Sequence, residues 1–104
     1  MSEPMMLSNS VLKSVMTDAM VYRRALHAGE DMDTVTAPGI YHFETTDLVN
    51  APKNLSKGIL RVSNGLSERY VLQEIFMTNG TLTTRLYWWS TWGSWRKIVN
   101  EIVS

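Results

Sequence analysis

The chain contains no cysteine among its 104 residues, only three prolines and two histidines, and no net charge, with ten basic side chains matched by ten acidic ones. Each shortage removes something. Without cysteine there is neither a disulfide nor a thiolate zinc site. His27 and His42 stand alone, with no second imidazole at ligand spacing, so no metal and no cofactor is expected. Balanced charge removes the electrostatic pull toward nucleic acid or an anionic membrane. No apolar run approaches the roughly 20 residues that span a bilayer, which argues against membrane insertion. The opening Met1-Ser2-Glu3-Pro4 lacks the basic region and apolar core of a secretory signal, so synthesis in a cytoplasm without the general export route is expected.

What is present fits a folded domain: 44% of residues are apolar and 19% charged, a balance that excludes a disordered tail. A chain this short buries a modest core, and domains of this size usually draw stability from disulfides, metal or partner copies. The first two are gone, which leaves oligomerisation.

Two textures divide the chain. From Ser10 to Ala28 there is no Gly or Pro, and Leu12, Val15, Ala19, Tyr22 and Leu26 recur at three-four spacing. That spacing predicts a helix with one apolar stripe, capped by Ser8, Asn9 or Ser10 and closed at Gly29. The stripe serves either a three-heptad seam between copies or a helix lying on its own domain. After Gly29 the texture turns to strand. Turn signals recur at Ala37-Pro38-Gly39, Asn50-Ala51-Pro52, Asn64-Gly65 and Asn79-Gly80. Between them Ile40–Thr45, Gly58–Ser63, Arg69–Met77 and Thr81–Trp88 are rich in β-branched and aromatic residues, and Trp92–Val99 reads as strand or terminal helix. The fold class expected is mainly β with an N-terminal α-helix: a helical stem over 1–28, then a small antiparallel meander over 29–104.

Catalytic patterns are absent. Glu30-Asp31-Asp33 falls in a turn-rich segment where capping is the ordinary role, and nothing in its spacing points to a carboxylate pair across a sugar cleft. Glu44, Glu68, Glu74 and Glu101 are single charges of the kind found on solvated faces. Asp31-Met32-Asp33 matches the start of a calcium loop, but the glycine and terminal glutamate of that motif are missing. Serine-nucleophile, phosphate-loop and dinucleotide motifs do not occur. Asn54-Leu55-Ser56 and Asn79-Gly80-Thr81 fit the glycosylation pattern, without the export signal that would give them use. The chain reads as a non-enzyme.

From Gly29 onward the residues form an ordered pattern. Gly29-Glu30-Asp31-Met32-Asp33-Thr34-Val35-Thr36-Ala37-Pro38-Gly39-Ile40-Tyr41 is followed by Asn50-Ala51-Pro52, Gly58-Ile59-Leu60-Arg61-Val62 and Val71-Leu72-Gln73. Arg85, Tyr87, Trp92 and Trp95 close it. The set resembles the pyocin-knob family of bacteriophage and tailocin tail-fibre domains, from its "D-L-N-x-L-x-x-P-G-x-Y" opening to its "R-x-Y … W-x-x-W" ending. Met32 and Asp33 stand where Leu and Asn are usual. Trp88-Trp89 departs further, occupying a place where a small turn is expected.

The resemblance implies a non-enzymatic homotrimer in a virion tail, in contact with other phage tail proteins and with a bacterial cell-surface glycan or protein. Trp92 and Trp95 are expected in the core, and Arg85 either bridges to a carbonyl or carboxylate or faces a ligand. Trp88, Trp89, Tyr87 and Arg85 are the ligand-facing candidates. Adjacent residues on a strand point to opposite faces, so one of Trp88 and Trp89 is exposed unless a neighbour covers it. Leu12, Val15, Ala19, Tyr22 and Leu26 are the candidates for the contact between copies. The competing reading is a structural module for fibre trimerisation or attachment within the tail, with no receptor site of its own.

Overall fold

Alternation along the strands builds one sheet. The computed structural model describes residues 21–64 and 69–98. Its strands are β1 (Tyr22–Ala25), β2 (Gly39–Phe43), β3 (Gly58–Ser63), β4 (Tyr70–Met77), β5 (Leu82–Trp88), β6 (Thr91–Trp92) and β7 (Arg96–Ile98). They lie in the order β1-β2-β3-β4-β5-β6, with β7 also paired to β5. All pairs are antiparallel except β1 with β2.

The β2–β5 meander follows the expected runs to within a residue or two. Asn79-Gly80 makes the β4–β5 turn, with Gly80 at φ 88°, and Gly65 of the Asn64-Gly65 signal lies outside the described residues. The final run divides: β6 and β7 flank an irregular stretch at residues 93–95, so that on this edge Arg85 and Leu86 face a break in the strand, bridged by the Gly93 N–H on Leu86 O at 2.8 Å.

The N-terminal helix is corrected. Tyr22–Ala25 is a strand, and among the described residues there is no α-helix, only a 3-10 turn at Met32–Thr34. Leu12, Val15 and Ala19 lie outside the described residues. The physical reason is a partner 18 residues along the chain: Tyr22 pairs in register with Ile40. Ile40 N donates to Val21 O and Leu26 N to His42 O, each at 2.8 Å. Gly39 permits this approach, because at φ +148° a Cβ there would come within 2.8 Å of Val21 O. Helical spacing records which side chains could share a face and is blind to a distant edge that offers backbone bonds. Leu26 is buried within the chain's own core at 4% exposure, whereas Tyr22 is 53% exposed on the edge strand. A helical stem entering at residue 28 is therefore withdrawn.

One face of the sheet carries the core. Tyr41, Phe43, Leu60, Val62, Val71 and Ile75 point inward from β2–β4, and Leu26, Met32 and Val35 close over them from the connecting segments. In β3, Leu60 and Val62 point inside and Ile59 outside. Leu48, Ala51, Leu55, Trp92 and Trp95 pack as a partly buried second layer.

Candidate functional site

The opening and closing segments of the sequence pattern meet in a polar network under the sheet. Gln73, on the inner face of β4 and fully buried, donates from Nε2 to Met32 O at 2.7 Å and Val35 O at 2.9 Å. Its Oε1 accepts from Arg85 Nε at 2.8 Å. Arg85, 6% exposed on β5, also brings Nη2 to 2.9 Å from Asp33 Oδ1, an ion pair set off the line of a hydrogen bond. Its guanidinium carbon lies 3.9 Å from the Trp92 ring centroid and 4.5 Å from that of Trp95. Burial pushes the Arg85 pKa below its ordinary value while Asp33 pulls it back, so the cation is held by pairing and by aromatic faces.

Trp95 is anchored in turn: its Nε1 donates to Asn50 O at 2.9 Å. Asn50 Nδ2 donates to Asp31 Oδ1 at 2.8 Å, and the same oxygen accepts from Asp33 N at 2.9 Å, capping the 3-10 turn. The acidic cluster is thereby consumed structurally, since Glu30 pairs with Arg24 through both carboxylate oxygens and accepts from His27 N. Among the described residues no three His, Cys, Asp or Glu side chains gather into a metal site. His42 Nδ1 shares a hydrogen bond with the Tyr22 hydroxyl at 2.8 Å.

Two of the four ligand candidates line one groove. Beside the break between β6 and β7, an open groove of about 640 Å³ is lined by Arg85, Leu86, Trp88, Thr91, Trp92 and Arg96, among others. Trp88 stands on its rim, 54% exposed, with Tyr70 across the strand pair at 4.8 Å in an edge-to-face contact. Arg85 contributes to the groove from inside the network. The groove combines two indoles, hydroxyls and a surface guanidinium. That is the chemistry of a saccharide site: flat aromatic surface for the apolar face of a sugar ring and polar groups for its hydroxyls.

The other two candidates lie elsewhere. Trp89, 55% exposed, stands at the β5–β6 turn with φ 65°. It is held there by its N–H on Arg69 O at 3.0 Å and by the Arg69 guanidinium 4.9 Å over its ring. Tyr87 is on the inner face, 5.2 Å from Trp92 between ring centroids, and lines a separate hollow of about 600 Å³ with Pro38 and Val71. Both Trp88 and Trp89 are exposed, because the turn breaks the alternation that assigns neighbours to opposite faces. Sequence reasoning missed Arg96 and the role of Gln73. The signal for Gln73 was available: it alternates with Val71 and Ile75 and so occupies an inward position, where a buried amide needs partners.

No family model matches the chain, and no curated protein matches it. Among solved structures, a P. aeruginosa R1 pyocin fibre fragment comprising C-terminal residues 323–701 superimposes with a TM-score of 0.68 at 20% identity. The fold is similar to a stretch of a pyocin fibre. The match covers 75% of this chain and 21% of that fragment, so the chain spans about a fifth of that neighbour's length. At this identity the likeness concerns the fold. It supports a tail-fibre-like architecture, and the residues that build the Arg85–Gln73–Asp33 network are those quoted for the pyocin-knob resemblance.

Proposed function

We propose that this chain is the non-enzymatic knob of a phage or tailocin tail fibre, a homotrimer that holds a bacterial surface glycan or protein in the groove between β6 and β7. The observation that carries this reading is Trp88, half exposed on the groove rim beside Arg96 and Trp92. The floor is fixed by the Arg85 network, so the groove needs little ordering when a ligand binds, which favours affinity. A tail-fibre-like fold and the absence of net charge support a location on a virion tail and a receptor other than nucleic acid. Three knobs on one fibre turn weak single contacts into stable attachment by effective concentration.

A second reading has one observation in its favour. Trp88 and Tyr70 continue the outer face of the sheet, where a neighbouring fibre subunit would also find aromatic surface. Under that reading the chain is an attachment or trimerisation module. A bacterial glycan array separates the two. Fluorescently labelled full chain is expected to bind a subset of oligosaccharides, and Trp88→Ala and Arg96→Ala are each expected to weaken that binding at least tenfold without change in sedimenting mass. Unaltered glycan binding by both variants would overturn the groove, and loss of mass in Trp88→Ala would favour the structural module.

A further inference from the structure

A sheet with one face on a core ordinarily turns polar side chains to water on the other. Here the outward positions carry Ile59, Tyr70, Phe76, Leu86 and Trp88, exposed at 46%, 37%, 40%, 40% and 54%. Register places Ile59 beside Phe76, Phe76 beside Leu82 and Leu82 beside Ile98, an apolar row crossing β3, β4, β5 and β7. At the centre of this face Arg61 and Glu74 close on each other. Arg61 Nε donates to Glu74 Oε1 at 2.8 Å, with Nη2 at 2.7 Å from the same oxygen, and its guanidinium lies 5.6 Å from the Phe76 ring centroid. No described residue covers the face.

We infer that this outer face is where copies of the chain pack against one another, its occupant a second copy. Size favours this. Seven strands about 4.8 Å apart, two to eight residues long at about 3.3 Å each, give a footprint of roughly 550 Å² before side-chain relief. That is of the order of the about 800 Å² per partner that a stable interface buries. Charge favours it at the centre of the face: Arg61 and Glu74 are already paired, so copies can meet over the Ile59–Phe76–Leu82 row without burying like charges there, and Arg96, in register with Thr84, stays at the β7 edge. The inference rests on the homotrimeric-knob reading and supplies the surface that reading lacks once the helical seam is withdrawn. The contact centres on the Ile59–Phe76–Leu82–Ile98 row, and the groove, lined by Leu86 and Trp88, opens on the same face at its β6–β7 edge.

Sedimentation of the full chain tests it through positions remote from the groove. Ile59→Lys and Phe76→Glu are each expected to shift the population from a multiple of the chain mass to the single-chain mass, with the near-ultraviolet signature of the Tyr70–Trp88 contact retained. Retention of the multiple by the double variant would overturn the inference. Should either variant fail to fold, hydroxyl-radical footprinting of the unsubstituted chain decides. Protection of Phe76 and Tyr70 in a multi-copy species supports the inference. Labelling of both in that species, or protection in a single-chain species where residues 1–20 are the remaining cover, overturns it. Glycan binding plays no part in this readout, so the failure of the groove and the failure of the interface are separate outcomes.

Discussion

Gln73 and Arg85 show what single side chains do in this chain. Both are polar and both face the core, where burying them is favourable only with every bond made. Gln73→Leu removes the two bonds to Met32 O and Val35 O and strips Arg85 Nε of its acceptor. It is expected to cost about 3 kcal/mol, measured by urea unfolding, since one buried cation loses a partner, Val35 O loses its Gln73 bond and Met32 O keeps only the Val35 amide. The resemblance made the identity of these residues legible. What stayed hidden was that residues 33, 73 and 85 touch, because linear order carries no distance. Glu30 gives a pH test. Its bond with Arg24 lowers its pKa from 4.5 to about 2, and its folded-state value therefore lies below its unfolded one. Stability from this pair is present above pH 4.5 and is lost as pH falls toward about 2. Asp31, lowered by its bonds from Asn50 and the Asp33 amide, adds in the same direction. Acid titration of the unfolding midpoint is expected to flatten, though not vanish, across that window in Glu30→Gln.

Among the elements, the strands of the meander were readable because alternation and local turns fix them together. Val71, Gln73, Ile75 and Met77 alternate with Tyr70, Leu72, Glu74 and Phe76, and Asn79-Gly80 closes the hairpin locally. The first strand was not readable. Tyr22-Arg23-Arg24-Ala25 has no alternation, and its three exposed residues and two arginines suit an edge that must not recruit another strand. Its place in the sheet is set by Gly39, read from sequence only as the exit from a Pro-Gly turn. Gly39→Val would drive a side chain into Val21 O and the Arg23 side chain. β1 is then expected to detach while β2–β5 persist. Hydrogen exchange reads this directly: the Leu26 amide, bonded to His42 O, should lose protection, whereas amides between β3 and β4 should keep theirs. Equal loss in both places would contradict it.

At the scale of the whole molecule, a single sheet closes only half of its apolar surface within one chain. Among the described residues, connecting segments and the Trp92–Trp95 layer cover the inner face, while Ile59, Phe76, Leu86 and Trp88 stay exposed on the outer one. The missing cysteine and metal ligands raise the expectation of partner copies from composition alone, whereas the helical spacing of Tyr22 and Leu26 misses the strand that forms there. On the proposed reading, copies held in a fixed arrangement through that face would present several weak sites toward one surface. Equilibrium sedimentation of the full chain reaches this claim most directly. The account predicts a mass three times that of the 11.9 kDa chain, persisting on dilution to about 1 μM as mass action requires of a stable assembly. A folded species at the single-chain mass up to about 100 μM, the range in which mass action would still assemble a weak complex, would contradict it.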